Sequence, residues 1–246
     1  PPNKPDRVVY NDYWATGRIG GGGMEGLSFT ITMLQAYEFT RDAKKADATP
    51  VYTDDELRRI ERDVLLESCV HLIGEKRINN KSVGNRIAVA MVGISLAHPG
   101  FVRFGLEGWR LTMDGWFLDD GCTPESPAYA LMSLGGIYKL AQAIRGYSDP
   151  PGYLDADGKR IEGLNLYEGF YGLVWQRMFE GLQGNLRYPP YADSYRTSAI
   201  GSRFGELIAG NYPDRPEYLA LLKEHAGQDL SRGDAETALF FRKPGL

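Results

Sequence analysis

From Ile87 to Ala97 the chain is almost wholly apolar: Ile87, Val89, Met91, Val92, Ile94 and Leu96, with Gly93 and small alanines between them. At helical spacing such a run carries no polar stripe, and a helix that is apolar all round is buried all round. The segment before it is different in kind. Thr53-Asp54-Asp55-Glu56 reads as a capping box, and its acids suit the positive end of a helix dipole. Behind it Leu57, Ile60, Val64, Ser68 and His71 fall on one helical face, with Arg58 and Arg62 opposite. An outer amphipathic helix followed by an inner apolar one is what a two-layer ring of helices requires.

The rest of the chain is also helical in pattern. Leu27, Ile31, Leu34 and Phe39 place a helix within Met24 to Asp42. The apolar run stops at His98-Pro99-Gly100. Ser126-Pro127 is a good helix start, with Ser as N-cap and Pro in the first position, and that helix runs through Leu131, Leu134, Ile137, Leu140 and Ile144. Gly135 and Gly136 inside it imply close helix packing. Further helices are expected near Leu164 to Leu182, Ser198 to Ala209 and Glu217 to Ala226. Gly152 to Gly163 is a polar loop, similar to a calcium loop only in its spaced aspartates. No stretch alternates cleanly at period two, and the best strand candidate is Thr237 to Arg242. The expected class is therefore all-α. No shift of composition marks a boundary within residues 1–246, so a single domain is expected, with 1–23 an extended lead-in ending in four glycines. That glycine run lacks the Gly-Lys-Ser/Thr ending of a phosphate loop.

Several function classes recede on composition. Lys+Arg is 28 and Asp+Glu is 32, a formal charge of -4, so no basic excess is available to grip nucleic acid. No apolar run reaches the roughly 18 residues of a membrane span. Cys69 and Cys122 make no zinc pattern, and spacing does not decide whether they pair. His71, His98 and His225 are not at metal-binding spacing, and no Gly-x-Ser-x-Gly elbow is present. No metal or cofactor is called for. The 15 tyrosines are amphipathic rings that serve either a wet sugar-binding cleft or an aromatic core.

Three polar clusters can carry chemistry. Asn79-Asn80-Lys81-Ser82-Val83-Gly84-Asn85-Arg86 precedes the buried helix, where free backbone N–H groups, amides and the Lys81 and Arg86 cations suit a carboxylate; it also reads as an N-cap cluster. Asp119-Asp120-Gly121-Cys122-Thr123-Pro124-Glu125-Ser126-Pro127-Ala128-Tyr129 puts Tyr129 in the first helical turn, where the dipole favours ionisation of a phenol; it also reads as a tyrosine packed under a loop. Arg187-Tyr188-Pro189-Pro190-Tyr191-Ala192-Asp193-Ser194-Tyr195 is a stiff aromatic loop suited to a sugar platform, with Arg187, Tyr188, Tyr191 and Asp193 as its contacts.

Together these clusters resemble the helical domain of heparinase II/III-like polysaccharide lyases, which include alginate and oligoalginate lyases. The likeness is carried by Ala36-Tyr37-Glu38, Asp55 to Leu66, the Asn79-to-Asn85 cluster, Asp120-Gly121 to Tyr129, and Tyr188 to Ser194, which is similar to the family's Pro-x-x-Gly-Asp-Ser loop. The resemblance implies an incomplete (α/α) toroid of helical hairpins without the family's β-sandwich, with 237–246 as the approach to that β-rich region. It implies β-elimination on a uronate polymer, an acidic polysaccharide partner, and a secreted or periplasmic location. In a chain beginning Pro1-Pro2, this also implies a processed or partial protein.

By position, Tyr129 matches the family's acid–base tyrosine. Asn85 matches the group that neutralises the sugar carboxylate, with Asn80 second. Asn79, Lys81, Arg86 and Glu125 join the aromatic loop as substrate contacts. Lys81 stands where some members carry His, Ala130 stands where several carry His or Trp, and a further family His has no match. These departures leave the base open. Two alternatives therefore stand: a non-catalytic carbohydrate-binding or scaffold domain, and a glycoside hydrolase using two of Glu125, Asp120 and Asp193.

Overall fold

The computed structural model describes residues 26–74, 78–80, 83–227, 229 and 237–238. Among these the chain is all-α, with isolated antiparallel bridges at Lys44–Pro50 and Tyr147–Leu164 and no strand. The extended lead-in over 1–23 lies outside the described residues. So does the proposed strand, apart from Thr237 and Ala238, which are helical.

The contacts divide into two compact units. The first comprises Pro1–Gly115 and Ser133–Asn165, and the second Trp116–Met132 and Leu166–Leu246. No composition change announces this division, because each unit is assembled from two separate stretches of chain.

In the first unit a π-helical turn, Gly26–Thr30, runs into α1 (Ile31–Thr40), which buries Ile31, Leu34 and Tyr37. Thr53 caps α2 (Asp54–Ile60): its side chain accepts from the Glu56 N–H while the Glu56 carboxylate accepts from the Thr53 N–H at 2.8 Å. The helix continues through a π-helical stretch, Glu61–Leu66, into α3 (Glu67–Ile73). Its buried residues are Leu65, Cys69 and Leu72, whereas Val64, Ser68 and His71 are only half-buried. Each buried position is one residue later than helical spacing predicts. The cause is the π stretch, which adds a residue to the turn and rotates everything after it.

The inner helix is α4 (Val83–Ser95), buried continuously from Val83 to Gly93. Against it lies α5 (Pro99–Trp116), which the sequence reading missed. Pro99-Gly100 reads as a stop, but proline is equally suited to the first turn of a new helix. The His98 imidazole accepts the Phe101 N–H at 3.2 Å and so helps to cap that turn. Gly105 lets α5 approach α4 closely, since a Cβ there would lie 2.2 Å from the Ala90 Cβ. The later part of α6 (Pro127–Ala143) brings Gly136 against Val83, the close packing expected of that glycine.

The loop over 147–164 is tied to α5 through Arg103, which pairs with Asp149 and, at 3.4 Å, with Asp155. Arg103 donates to both oxygens of Asp149 at 2.8 and 2.7 Å, and Asp149 also accepts from Tyr147 Oη and the Ile161 N–H. Asp155 accepts from the backbone of Asp157 and Lys159, so an oxygen that a calcium loop would offer to a cation is turned onto the chain. No group of three or more potential metal-ligating side chains occurs among the described residues.

The second unit is built on α7 (Phe170–Glu180), α8 (Ser202–Asn211) and α9 (Pro216–His225). Its core is aromatic: Tyr171 meets Trp175 edge-on at 5.9 Å between centroids, and Trp175 meets Phe204 at 5.2 Å. Tyr212 packs against both Tyr167 and Tyr218 and donates to the Tyr167 carbonyl at 2.9 Å. The tyrosine excess therefore serves a core here, with hydroxyls such as this one given backbone acceptors. Cys69 and Cys122 do not pair. Burial pushes the Cys69 thiol up to about 12.

Candidate functional site

The sequence-derived site residues fall into both units. In the first unit, Asn79 and Asn80 are half-buried at the approach to α4, and the Asn79 carbonyl accepts the Val83 N–H at 3.2 Å. Lys81 lies outside the described residues. Asn85 is only 3% exposed, and its amide oxygen accepts the Gly26 N–H at 2.9 Å. This bond satisfies a donor at the very start of the π turn, so the amide is committed to joining that turn to α4. Arg86 is also turned inward. It pairs with Glu107 at 2.9 Å, and its guanidinium lies 4.6 Å from the centroid of the Phe104 ring. Its charge thus has a carboxylate within the fold.

In the second unit, the first turn of α6 is built from both sides. Ser126 Oγ accepts the Tyr129 N–H at 3.3 Å, as an N-cap should. The Ala128 N–H goes instead to Ser194 Oγ at 3.2 Å, across 66 residues of sequence. That bond brings the Glu125-to-Tyr129 segment and the aromatic loop together. Tyr129 is half-buried and Glu125 is exposed.

The turn before this helix start is also fixed. Asp120 accepts from the Cys122 N–H at 2.9 Å, and Arg177 donates to the Asp120 carbonyl at 3.0 Å. Gly121 sits at φ +82 with the Leu173 backbone 3.0 Å from where a Cβ would stand. Both its conformation and its surroundings therefore demand glycine.

The aromatic loop is anchored from inside. Tyr188, expected as a substrate contact, is 2% exposed and donates to the Met178 carbonyl at 2.6 Å. Burial pushes its phenol well above the usual range. The rings that do reach solvent are Tyr191, at 49% exposure, and Tyr195, at 76%. Arg187 and Asp193 are exposed with them. Backbone bonds hold the loop's shape: Tyr188 N–H to the Ser198 carbonyl at 2.8 Å and Ser198 N–H to the Tyr195 carbonyl at 2.9 Å. Ser198 Oγ also accepts the Tyr195 N–H at 3.1 Å.

Sequence reasoning placed Tyr195 at the end of the aromatic loop without naming it as a contact, and it missed the bridging role of Ser194. Tyr188, Tyr191 and Tyr195 crowd one short loop, and their spacing does not say which ring goes inside.

A separate groove of the first unit runs along α2 and the π stretch, lined by Tyr52, Glu56, Arg59, Ile60, Asp63 and Val64. Glu56 is engaged by the Thr53 cap and Asp63 by Arg62 at 2.6 Å. Among the described residues no helix is long and apolar enough to cross a membrane.

Comparison with family models, with curated proteins and with solved structures found no match.

Proposed function

We propose that the chain is the helical domain of a polysaccharide lyase acting on a uronate-containing polymer, its helices arranged as an incomplete (α/α) toroid. The observation that carries the reading is the Ala128–Ser194 hydrogen bond. It ties the helical turn that carries Tyr129 to a loop with exposed aromatic rings, which supports a sugar-binding reading of that turn. In β-elimination the proton leaves the carbon next to the carboxylate, a carbon–carbon double bond forms, and the bond to the glycosidic oxygen breaks. Tyr129 takes the acid–base role: its oxygen removes that proton and returns it to the departing glycosidic oxygen, so that the tyrosine ends the step as it began. The developing charge on the carboxylate needs an amide or cation beside it. The family resemblance assigns that role to Asn85 and Asn80, and the half-buried Asn80 has the more exposed side chain of the two.

A second reading, a non-catalytic carbohydrate-binding domain, is favoured by the internal commitments of Asn85 and Arg86. An assay separates the two. Full-length protein is screened against uronate polymers for the ultraviolet absorbance of an unsaturated uronate. Tyr129→Phe is then compared with the parent for rate and for melting temperature. A loss on the order of a hundredfold in rate at little cost in stability supports the lyase. Near-normal elimination after the substitution removes Tyr129 from the chemistry. Binding without elimination leaves the second reading standing, and reducing ends without the absorbance identify a hydrolase.

A further inference from the structure

The aromatic loop of the second unit has a feature that its expected role does not use. Tyr195, the more exposed of its two solvent-facing tyrosines, is followed directly by Arg196, which is also exposed. Among the described residues neither the Arg196 nor the Arg187 side chain has a hydrogen bond or ion pair. Several other arginines are engaged: Arg103 with Asp149, Arg86 with Glu107 and Arg177 with Glu180. Two uncommitted guanidinium groups therefore lie within ten residues of two exposed rings, in a chain whose formal charge is -4.

The loop is also preorganised. Tyr195 lies between two fixed neighbours: Ser194 is bound to the Ala128 N–H, and Ser198 closes the turn by bonding both the Tyr195 N–H and, through its own N–H, the Tyr195 carbonyl. Holding an aromatic ring in water on a backbone already ordered lowers the entropic cost of binding.

We propose that Tyr195 and Arg196, with Tyr191 and Arg187, form a subsite for an anionic sugar. The ring of a sugar residue stacks on Tyr195, and its carboxylate or sulfate pairs with the arginines. A guanidinium offers a planar pair of donors matched to such an oxyanion, and a tyrosine face matches the C–H face of a pyranose. The inference rests on the carbohydrate reading above but not on its catalytic step.

The test is calorimetric titration of the full chain carrying Tyr129→Phe, so that ligand is not consumed. The probes are a saturated hexamer of uronic acid, the same hexamer with its carboxylates reduced to alcohols, and a single-stranded oligonucleotide of equal charge. Tyr195→Ala is expected to weaken binding of the acidic hexamer ~tenfold, while Tyr195→Phe retains it, because stacking needs the ring and not the hydroxyl. Arg196→Gln and Arg187→Gln are each expected to weaken binding severalfold and to flatten its dependence on salt. All four side chains are exposed, and unchanged melting temperatures confirm that the fold persists.

The proposal is overturned if the acidic hexamer does not bind, if Tyr195→Ala binds it normally, or if the carboxyl-reduced hexamer binds as tightly. It is equally overturned if the oligonucleotide matches the hexamer, which would make the loop a general polyanion contact. Elimination activity is measured separately on the parent chain. Its absence with binding intact defeats the lyase reading alone, and its presence with normal binding by Tyr195→Ala defeats this subsite alone.

Discussion

Arg103 and Asp149, 46 residues apart, form a two-pronged ion pair with both carboxylate oxygens engaged, at 2.8 and 2.7 Å. The Arg103 guanidinium, with the Ile161 N–H and the Tyr147 hydroxyl, lowers the Asp149 carboxyl to about 2, below its usual 3.8. A carboxyl depressed in the folded state contributes stability above its unfolded value and loses it as pH falls through the folded one. Asp149 therefore contributes roughly 2 kcal/mol at neutral pH, fading between about pH 4 and pH 2. Denaturant titrations of the parent and Asp149→Asn check this. The variant should be less stable at pH 7 and should converge on the parent near pH 2. A constant gap across that range would assign the pair no electrostatic role.

Asn85→Ala removes the acceptor of the Gly26 N–H. An unsatisfied buried donor costs about 1–3 kcal/mol, so this variant should melt earlier. Asn79→Ala and Asn80→Ala change half-buried side chains and should melt closer to the parent. If elimination is established, loss of turnover in Asn80→Ala with stability retained assigns carboxylate neutralisation to Asn80. Equal and mild effects at both positions reduce them to helix capping.

Gly105→Ala drives a methyl into Ala90, whose Cβ would be 2.2 Å away. The contact is with short, rigid groups on α4, so relief requires the two helices to separate. Overpacking of this kind costs about 1–3 kcal/mol, to be measured as a lowered denaturation midpoint with unchanged slope. Gly115→Ala, at a helical position with nothing within 4 Å, is the control and should be neutral or slightly stabilising.

Ser194→Ala deletes the acceptor of the Ala128 N–H. The expected loss is about 0.5–1.5 kcal/mol of stability, because that part-buried donor can be rehydrated. Its effect on function should exceed its effect on stability, since the bond aligns the Tyr129 turn with the loop. A double-mutant comparison with Tyr129→Phe checks the coupling: if Ser194 acts through Tyr129, its substitution should add little further loss of rate in the phenylalanine background.

Much of the local structure could be read from sequence because the signals lie within a few residues of their effects. Thr53 and Glu56 form their reciprocal cap as written, the run from Ile87 is buried on all sides as far as Gly93, beyond which Ile94 and Leu96 are half-buried and Ala97 exposed, and α6 begins at Pro127. Failures came where a local signal had two meanings or the partner was distant. Pro99 both ends one helix and begins the next, so α5 went unread. Tyr188 and Tyr195 belong to one motif, but only the position of the Met178 carbonyl decides that the first goes inside. Asn85 looked like an anion receptor because nothing nearby in sequence reveals that Gly26 would claim its oxygen. Arg103 found Asp149 across a loop whose path no periodicity specifies.

The wide turn at Glu61–Leu66 splits one continuous rod into two phases. Upstream, Thr53, Leu57 and Ile60 answer to one angular frame; downstream, Leu65, Cys69 and Leu72 answer to another, about 100° further round the axis. Removing a single residue from the wide turn would restore uniform winding. It would also swing the capped end of α2, with Tyr52 and the groove beside it, a quarter-turn away from where it stands. This short stretch thus acts as a phase shifter: the outer end of the helix can be re-aimed by the length of one turn, without altering a side chain of the buried end.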